Sequence, residues 1–62
     1  MKPMVEIKDL KDWDIFNMLE LAQGSLANAG QAEQLVSMTS RVLSSQSYSD
    51  SKLILQDYVD FK

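Results

Sequence analysis

The chain has 62 residues, a mass of 7.0 kDa, nine acidic and six basic side chains, and a net charge of −3. It contains no cysteine and no histidine. Disulfides and thiolate metal sites are therefore excluded, and the commonest metal ligand and general base are missing. A domain this small is marginally stable unless regular helix packing or a partner chain adds cohesion. We therefore expect one domain that assembles with another chain.

The composition also limits the classes of partner. A hydrophobic fraction of 45% is typical of globular proteins. The negative net charge disfavours direct binding to nucleic acid or to an anionic membrane, because both demand a basic surface. No apolar stretch approaches the roughly 20 residues that span a bilayer, and Glu6 follows the amino terminus before a signal-like run can develop. We expect a soluble, cytoplasmic protein.

Residues 1–8 are predicted to form an extended amino-terminal arm. Pro3 disfavours a helical conformation in the residue before it. Met4, Val5 and Ile7 combine apolar character with β-branching. The arm is expected either to pack across the helices or to fray.

A first helix is predicted over about 10–27, within a single helical domain over 9–62. Asp9 and Asp12 are both suitable N-caps. Apolar residues then recur at helical spacing, at Ile15, Met18, Leu19, Ala22, Leu26 and Ala29. Gly24 interrupts this run at a cost of about 1 kcal/mol relative to alanine. We expect its reason to be close packing against a neighbouring backbone.

A second helix is predicted over about 31–45. Asn28 followed by Gln31 fits a capping box, and Gly30 with Glu33 offers a slightly later start. The apolar side of this helix is predicted to contain Ala32, Leu35, Met38, Val42 and Leu43, with Val36 at its edge.

The other side of the second helix is small and nearly uncharged. Five of the nine acids lie between Glu6 and Glu20, whereas residues 21–49 contain Glu33 and Arg41 as their sole charges. The polar face consists of Gln34, Ser37, Ser40 and Ser44. Depletion of charge is typical of an interface centre, but a solvated serine-rich face explains the pattern equally well. Both interpretations stay open.

A third helix is predicted over about 50–61. Ser49 is the candidate N-cap, and Tyr48 before it can pack on Leu53 as a hydrophobic staple. Alternation of apolar residues over 53–61 makes a terminal strand the alternative, and the capping pattern favours the helix. The fold class is therefore all-α, with an antiparallel hairpin of two longer helices and a shorter third helix.

Searches for catalytic and metal-binding patterns give little. Residues 49–52 fit the acylating motif S-x-x-K, but its companion motifs are missing and a helix cap explains these residues. A calcium loop starting at Asp12 would place Phe16 and Gln23 at ligand positions, so it fails. We expect no enzyme activity, no catalytic or metal site, no cofactor and no small-molecule substrate.

Direct reading of DNA by a helix-turn-helix is also disfavoured. The candidate recognition helix over 49–61 has one lysine against three aspartates. The phosphates of DNA would repel such a helix.

One aromatic and acidic constellation remains, over residues 12–16. Helical geometry directs Trp13 about 160° away from the apolar stripe of the first helix. Tryptophan is enriched among interface hot spots, and neighbouring acids would steer it towards a basic surface. The favoured alternative is that Trp13 caps the end of the core under the arm. Candidate partner-binding residues are Trp13, Phe16, Asp9, Asp12, Asp14 and Glu20.

By elimination, the sequence predicts a small acidic, non-catalytic protein-interaction module. It would act as a regulator or adaptor and bind a protein partner or itself, as a homodimer, through apolar helix faces. The alternative is an acidic inhibitor of phage or plasmid type. It would mimic nucleic-acid charge and occupy a basic groove of a nucleic-acid-binding protein with Glu6, Asp9, Asp12, Asp14 and Glu20.

Overall fold

Three helices and a short parallel ribbon make up the fold. The computed structural model describes residues 2–62, without the side chain of residue 10. The elements in chain order are β1 (Met4–Val5), a 3-10 helix (Leu10–Trp13), α1 (Ile15–Asn28), α2 (Ala32–Leu43), α3 (Tyr48–Tyr58) and β2 (Asp60–Phe61). The prediction of a small, mostly helical domain with three helices is confirmed.

The first helical region is divided into two parts, each with an aspartate cap. The carboxylate of Asp9 accepts a hydrogen bond from the backbone N–H of Lys11 at 3.4 Å, at the start of the 3-10 helix. The carboxylate of Asp14 accepts one from the N–H of Phe16 at 2.9 Å. Asp14 itself is extended, with φ −67° and ψ 137°. An aspartate that satisfies backbone donors in this way starts a new helix, so α1 begins later than predicted.

The end of α1 is a Schellman motif. Gly30 has φ +72°, its N–H donates to the carbonyl of Ala27 at 3.1 Å, and the N–H of Gln31 donates to that of Leu26 at 2.9 Å. A left-handed residue at this position favours glycine. Asn28 is the last residue of α1 and Gln31 is the N-cap residue of α2. The predicted capping box is therefore wrong.

The start of α3 lies earlier than the sequence indicated. Ser47 is the N-cap, and its hydroxyl accepts a hydrogen bond from the N–H of Asp50 at 3.1 Å. Ser49, the predicted cap, lies inside the first turn. Tyr48 is consequently the first helical residue and does not precede the cap as a staple requires, and Leu53 is 63% exposed.

The carboxyl-terminal residues leave the helix and form a strand. α3 ends at Tyr58, and Val59 is extended with φ −139° and ψ 159°. Val59 is also fully buried. The helix predicted to continue to residue 61 is thus three residues too long, whereas the alternative of a strand applies to Asp60–Phe61.

The arm and the carboxyl terminus pair as parallel strands. Met4 is opposite Asp60 and Val5 is opposite Phe61. The N–H of Asp60 donates to the carbonyl of Pro3 at 3.0 Å, and the N–H of Lys62 donates to the carbonyl of Val5 at 2.9 Å. The ends of the chain are therefore held together.

The core draws on every helix and on both ends of the chain. Its buried apolar residues are Val5, Met18, Ala22, Leu26, Met38, Leu55 and Val59. Three of them are members of the apolar stripe predicted for α1. The polar residue buried beside them is Ser51, whose hydroxyl shares a hydrogen bond with that of Ser45. This bond fixes the start of α3 against the end of α2.

The orientation of α2 differs from the prediction. Met38 is buried, and Leu35 and Val42 pack partly against the core. Leu43, which the sequence placed on the buried side, is 77% exposed. It lies five residues after Met38 and therefore about 140° around the helix. The exposed Ala32 lies well away from the buried side for the same reason.

Candidate interaction surfaces

An exposed apolar surface lies where α1 and α2 meet. On α2, Val36, Thr39 and Leu43 follow one another at i, i+3 and i+7 and so share one side of the helix. On α1, Phe16 and Gln23 are seven residues apart and share a side in the same way. The Gln23 side-chain amide donates to the Thr39 hydroxyl at 2.9 Å, which brings the two sides together. We call these five residues the α1–α2 face.

Three large apolar side chains of this face lie in solvent. Phe16 is 78% exposed, Leu43 is 77% exposed and Val36 is 67% exposed. Together they present about 300 Å² of apolar surface, taking ordinary areas for buried aromatic and aliphatic side chains. This area is comparable with the largest apolar patch on a typical small protein, and such patches are often functional.

The α2 half of the α1–α2 face is also poor in charge. Residues 21–49 contain two charged side chains. One of them, Arg41, is directed to α3, where its guanidinium lies 3.2 Å from the carboxylate of Asp57 and donates to the hydroxyl of Tyr58 at 3.2 Å. On α1, in contrast, the exposed Glu20 lies one turn after Phe16, on the same side of the helix as Phe16 and Gln23.

A polar cluster occupies the opposite side of α2. Ser37 and Tyr58 share a hydrogen bond of 2.9 Å between their hydroxyls, and the Arg41 guanidinium carbon lies 5.5 Å from the centre of the Tyr58 ring. The predicted serine-rich face is thus partly packed against α3 through Ser37, while Ser40 and Ser44 are exposed.

This cluster shifts the pKa values of Tyr58 and Arg41. The hydrogen bond from Arg41, followed by that from Ser37, lowers the pKa of Tyr58 below its ordinary value. The same bond to Tyr58 raises the pKa of Arg41. A cationic donor stabilises a tyrosinate more than a neutral phenol, which accounts for both directions.

Trp13 lies at the end of the core. Its ring is 6.5 Å from that of Phe61 at an interplanar angle of 47°, and it packs partly buried against the core cluster. The Lys52 ammonium nitrogen is 5.0 Å from the ring centroid. The Tyr48 hydroxyl donates to the Trp13 carbonyl at 2.8 Å. Trp13 is thus in contact with the strand that pairs with the arm, while Phe16 is exposed on α1.

The amino-terminal acids have mixed surroundings. Asp9 and Asp14 act as helix caps. Glu6 and Glu20 are exposed, and Asp12 is half-buried in the 3-10 helix. Within residues 2–62 no three acidic side chains converge as a metal site would require. Among the predicted site residues, Trp13 thus packs against the core, whereas Phe16, Glu6 and Glu20 are exposed.

Ser49 and Lys52, the serine and the lysine of the S-x-x-K match, have different surroundings. Ser49 is exposed in the first turn of α3, whereas the Lys52 ammonium lies over the Trp13 ring. An open depression of about 690 Å³ beside the start of α2 is lined by charges of both signs, among them Lys2, Glu33 and Asp57. Such mixed charge selects no particular class of ligand.

Comparison of the chain with models of protein families, with curated proteins and with solved structures finds no match. Among the described residues, no helix is both long enough and apolar enough to cross a membrane. Conclusions about function therefore depend on the surface of this chain.

Sequence reasoning found Phe16 but missed Val36 and Leu43. The available signal was their spacing, because residues seven apart on a helix lie on one side. Leu43 was assigned to the core together with its neighbour Val42. The structure separates the two, with Val42 half-buried and Leu43 exposed.

Proposed function

We propose that this chain is a small, non-catalytic protein-interaction module that binds a protein partner through the α1–α2 face. The observation that supports this function is the exposure of Phe16, Val36 and Leu43 on the α1–α2 face, whose α2 half is poor in charge. In a free chain these side chains are hydrated at a cost in free energy, and a partner that covers them recovers about 25 cal/mol for each Å². A regulatory or adaptor role in the cytoplasm fits a module of this kind.

We further propose that α1 and α2 form an antiparallel hairpin that presents this face. The connection between the helices is short, at residues 29–31. Gln23 lies five residues before the end of α1, and its partner Thr39 lies seven residues after the start of α2. Two contacting residues at similar distances from a turn are expected when the second helix runs back along the first. The hairpin therefore supports a continuous binding surface.

Phe16 is the proposed main anchor of the interface. Interface energy is concentrated in a few large side chains, and removal of such an anchor costs about 2 kcal/mol or more. Phe16 is also the second residue of α1. An acidic residue at the start of a helix interacts favourably with the helix dipole. Phe16→Glu should therefore remove the anchor while the helix is retained.

The charge-mimic alternative has less support. Two of its five acids, Asp9 and Asp14, are used as helix caps. The lysines Lys8 and Lys11 lie among the acids in sequence and reduce the local negative charge. We therefore favour the apolar face over the acidic segment as the binding surface.

A quantitative capture experiment tests the proposal. The wild-type chain and its Leu43→Lys, Phe16→Glu and Leu53→Lys variants serve as bait in extract from the native host, with mass spectrometry as readout. Leu53 is an exposed leucine on α3, outside the α1–α2 face, so Leu53→Lys is the matched control. We expect a partner that is lost with the two face variants and kept with the control.

Capture that is equal for all four baits would contradict the proposal. A partner that is lost at moderate salt and with Asp9→Asn or Asp12→Asn would instead favour the acidic alternative, because exposed charges are screened by salt. Circular dichroism of each bait confirms that its helix content is unchanged.

A further inference from the structure

We infer that the partner that covers the α1–α2 face is a second copy of this chain, in a two-fold symmetric homodimer. This inference depends on the proposed function, since it names the occupant of the same surface. Three properties of the face favour a second copy: its area, its charge and the distribution of large and small residues along it.

The area is consistent with a weak dimer. If two copies cover their faces, the three large apolar side chains of each bury a total of about 600 Å². Protein interfaces are about 57% apolar, so this corresponds to roughly 1,000 Å² in total. That value is at the lower limit for a specific interface. An interface this small is typical of weak, transient association.

The charge distribution allows two like-charged chains to meet at this face. Each copy has a net charge of −3, and five of its acids lie between Glu6 and Glu20. The region of residues 21–49 has two charges, and Arg41 is held by Asp57 on another side of α2. Self-repulsion is therefore weakest along the α2 half of the face, where Val36 and Leu43 are exposed, whereas Phe16 lies within the acidic segment.

The sizes of the residues along the hairpin are self-complementary. Phe16 near the start of α1 and Leu43 at the end of α2 form a large end. Ala27 and Ala32, both exposed, lie on either side of the connecting turn and form a small end. In a two-fold interface the same patch meets itself in reverse. The large end of one copy then packs against the small end of the other, with Gln23 and Thr39 near the axis.

Sedimentation of the purified chain tests this inference without any other protein. From about 1 µM to about 1 mM, the wild-type mass should rise from that of one chain towards that of two. Leu43→Lys and Phe16→Glu should each weaken the dimer at least about tenfold, because each replaces a large apolar contact of the interface with a charge. Leu53→Lys should associate like the wild type.

Three results would overturn the inference. The first is a wild-type chain that stays monomeric at the highest concentration. The second is equal association of the wild type, both face variants and the control, which would place the contact elsewhere. The third is association that Leu53→Lys abolishes. A monomeric chain that still captures a Phe16-dependent partner would refute the homodimer alone, whereas failure of both experiments would refute the proposed function as well.

Discussion

The two glycines of the chain have opposite surroundings. Gly24 lies inside α1, is exposed, and a methyl group added there would meet no other heavy atom within 4 Å beyond its local helix backbone. The close packing that the sequence suggested for Gly24 is therefore not found within the described chain. Gly30, in contrast, has a positive φ that the Schellman motif requires.

Alanine substitution should change the free energy of unfolding in opposite directions at the two positions. Gly24→Ala should raise the free energy of unfolding by about 0.5–1 kcal/mol, since alanine is the better helix former. Gly30→Ala should lower it by about 1–2 kcal/mol, since an L-residue is strained in the left-handed region. Urea unfolding of dilute protein measures both. A loss of stability in Gly24→Ala would show that a close neighbour occupies this site.

The Tyr58 cluster predicts a specific pH dependence. Tyr58 receives a hydrogen bond from Arg41, and its pKa is lowered. Because the native pKa lies below the unfolded value near 10, the native state releases its proton first as the pH rises. The corresponding stabilisation is absent at neutral pH, appears as the pH rises through the native pKa, and is complete above the unfolded pKa.

Ultraviolet titration of tyrosinate checks this prediction. A Tyr48→Phe background leaves Tyr58 as the remaining tyrosine. Its pKa should lie below 10 in that background and should rise when Arg41→Gln is added, since the positive donor is then absent. A Tyr58 pKa that is identical with and without Arg41 would contradict the described contact. The difference in the free energy of unfolding between the Tyr48→Phe chain and the same chain with Arg41→Gln should also increase as the solution becomes alkaline.

The presence of the three helices was predictable from the sequence, but the residues at which they begin and end were less predictable. The three helices and the buried stripe of α1, including Met18, Ala22 and Leu26, follow from apolar spacing alone. The start of α3 does not, because Ser47 and Ser49 are equally good caps by composition. When Ser47 is the cap, Tyr48 is the first residue of α3, and its hydroxyl donates a hydrogen bond to the Trp13 carbonyl. This is a tertiary contact. Local sequence does not encode such a contact.

The assignment of Ser47 as the N-cap of α3 can be tested by replacing Ser47 or Ser49 with alanine. Ser47→Ala should lower the free energy of unfolding by about 1 kcal/mol, because the N–H of Asp50 loses its acceptor. Ser49→Ala should change it by a few tenths of a kcal/mol, since this serine is exposed within the helix. Thermal or urea unfolding of both variants decides between the two caps. A larger loss with Ser49→Ala would restore the boundary predicted from sequence.

The terminal ribbon was beyond prediction for a different reason. Each strand has two residues, which is too short for an alternating pattern to be read. The partners Val5 and Phe61 lie at opposite ends of the chain. Pairing between such distant segments depends on where the helices place them. The extended arm was therefore predictable from Pro3 and its neighbours, but its partner was not.

At the scale of the whole molecule, the accessible surface is ordinary in area and includes several large hydrophobic side chains. The accessible surface of 4202 Å² is close to the roughly 4,000 Å² expected for a monomer of this mass. The large hydrophobic side chains that it exposes are Met4, Phe16, Leu21, Val36, Leu43, Tyr48 and Leu53. A chain with a small core thus leaves considerable apolar surface available for association.

The candidate site was predictable in part. Phe16 was a candidate because of its aromatic character within the acidic segment. Val36 and Leu43 were not, because α2 has apolar residues on more than one side and its orientation depends on contacts with α1 and α3. The Gln23 to Thr39 bond, which joins the two halves of the face, has no signature in the sequence.

The melting temperature as a function of protein concentration tests the central claim most directly. If a second copy covers the α1–α2 face, the melting temperature of the wild type must rise with concentration, because association stabilises the folded state by mass action. The melting temperature of Leu43→Lys should rise much less over the same range, because its dimer is weaker. A wild-type melting temperature that does not change between micromolar and millimolar protein would contradict the account.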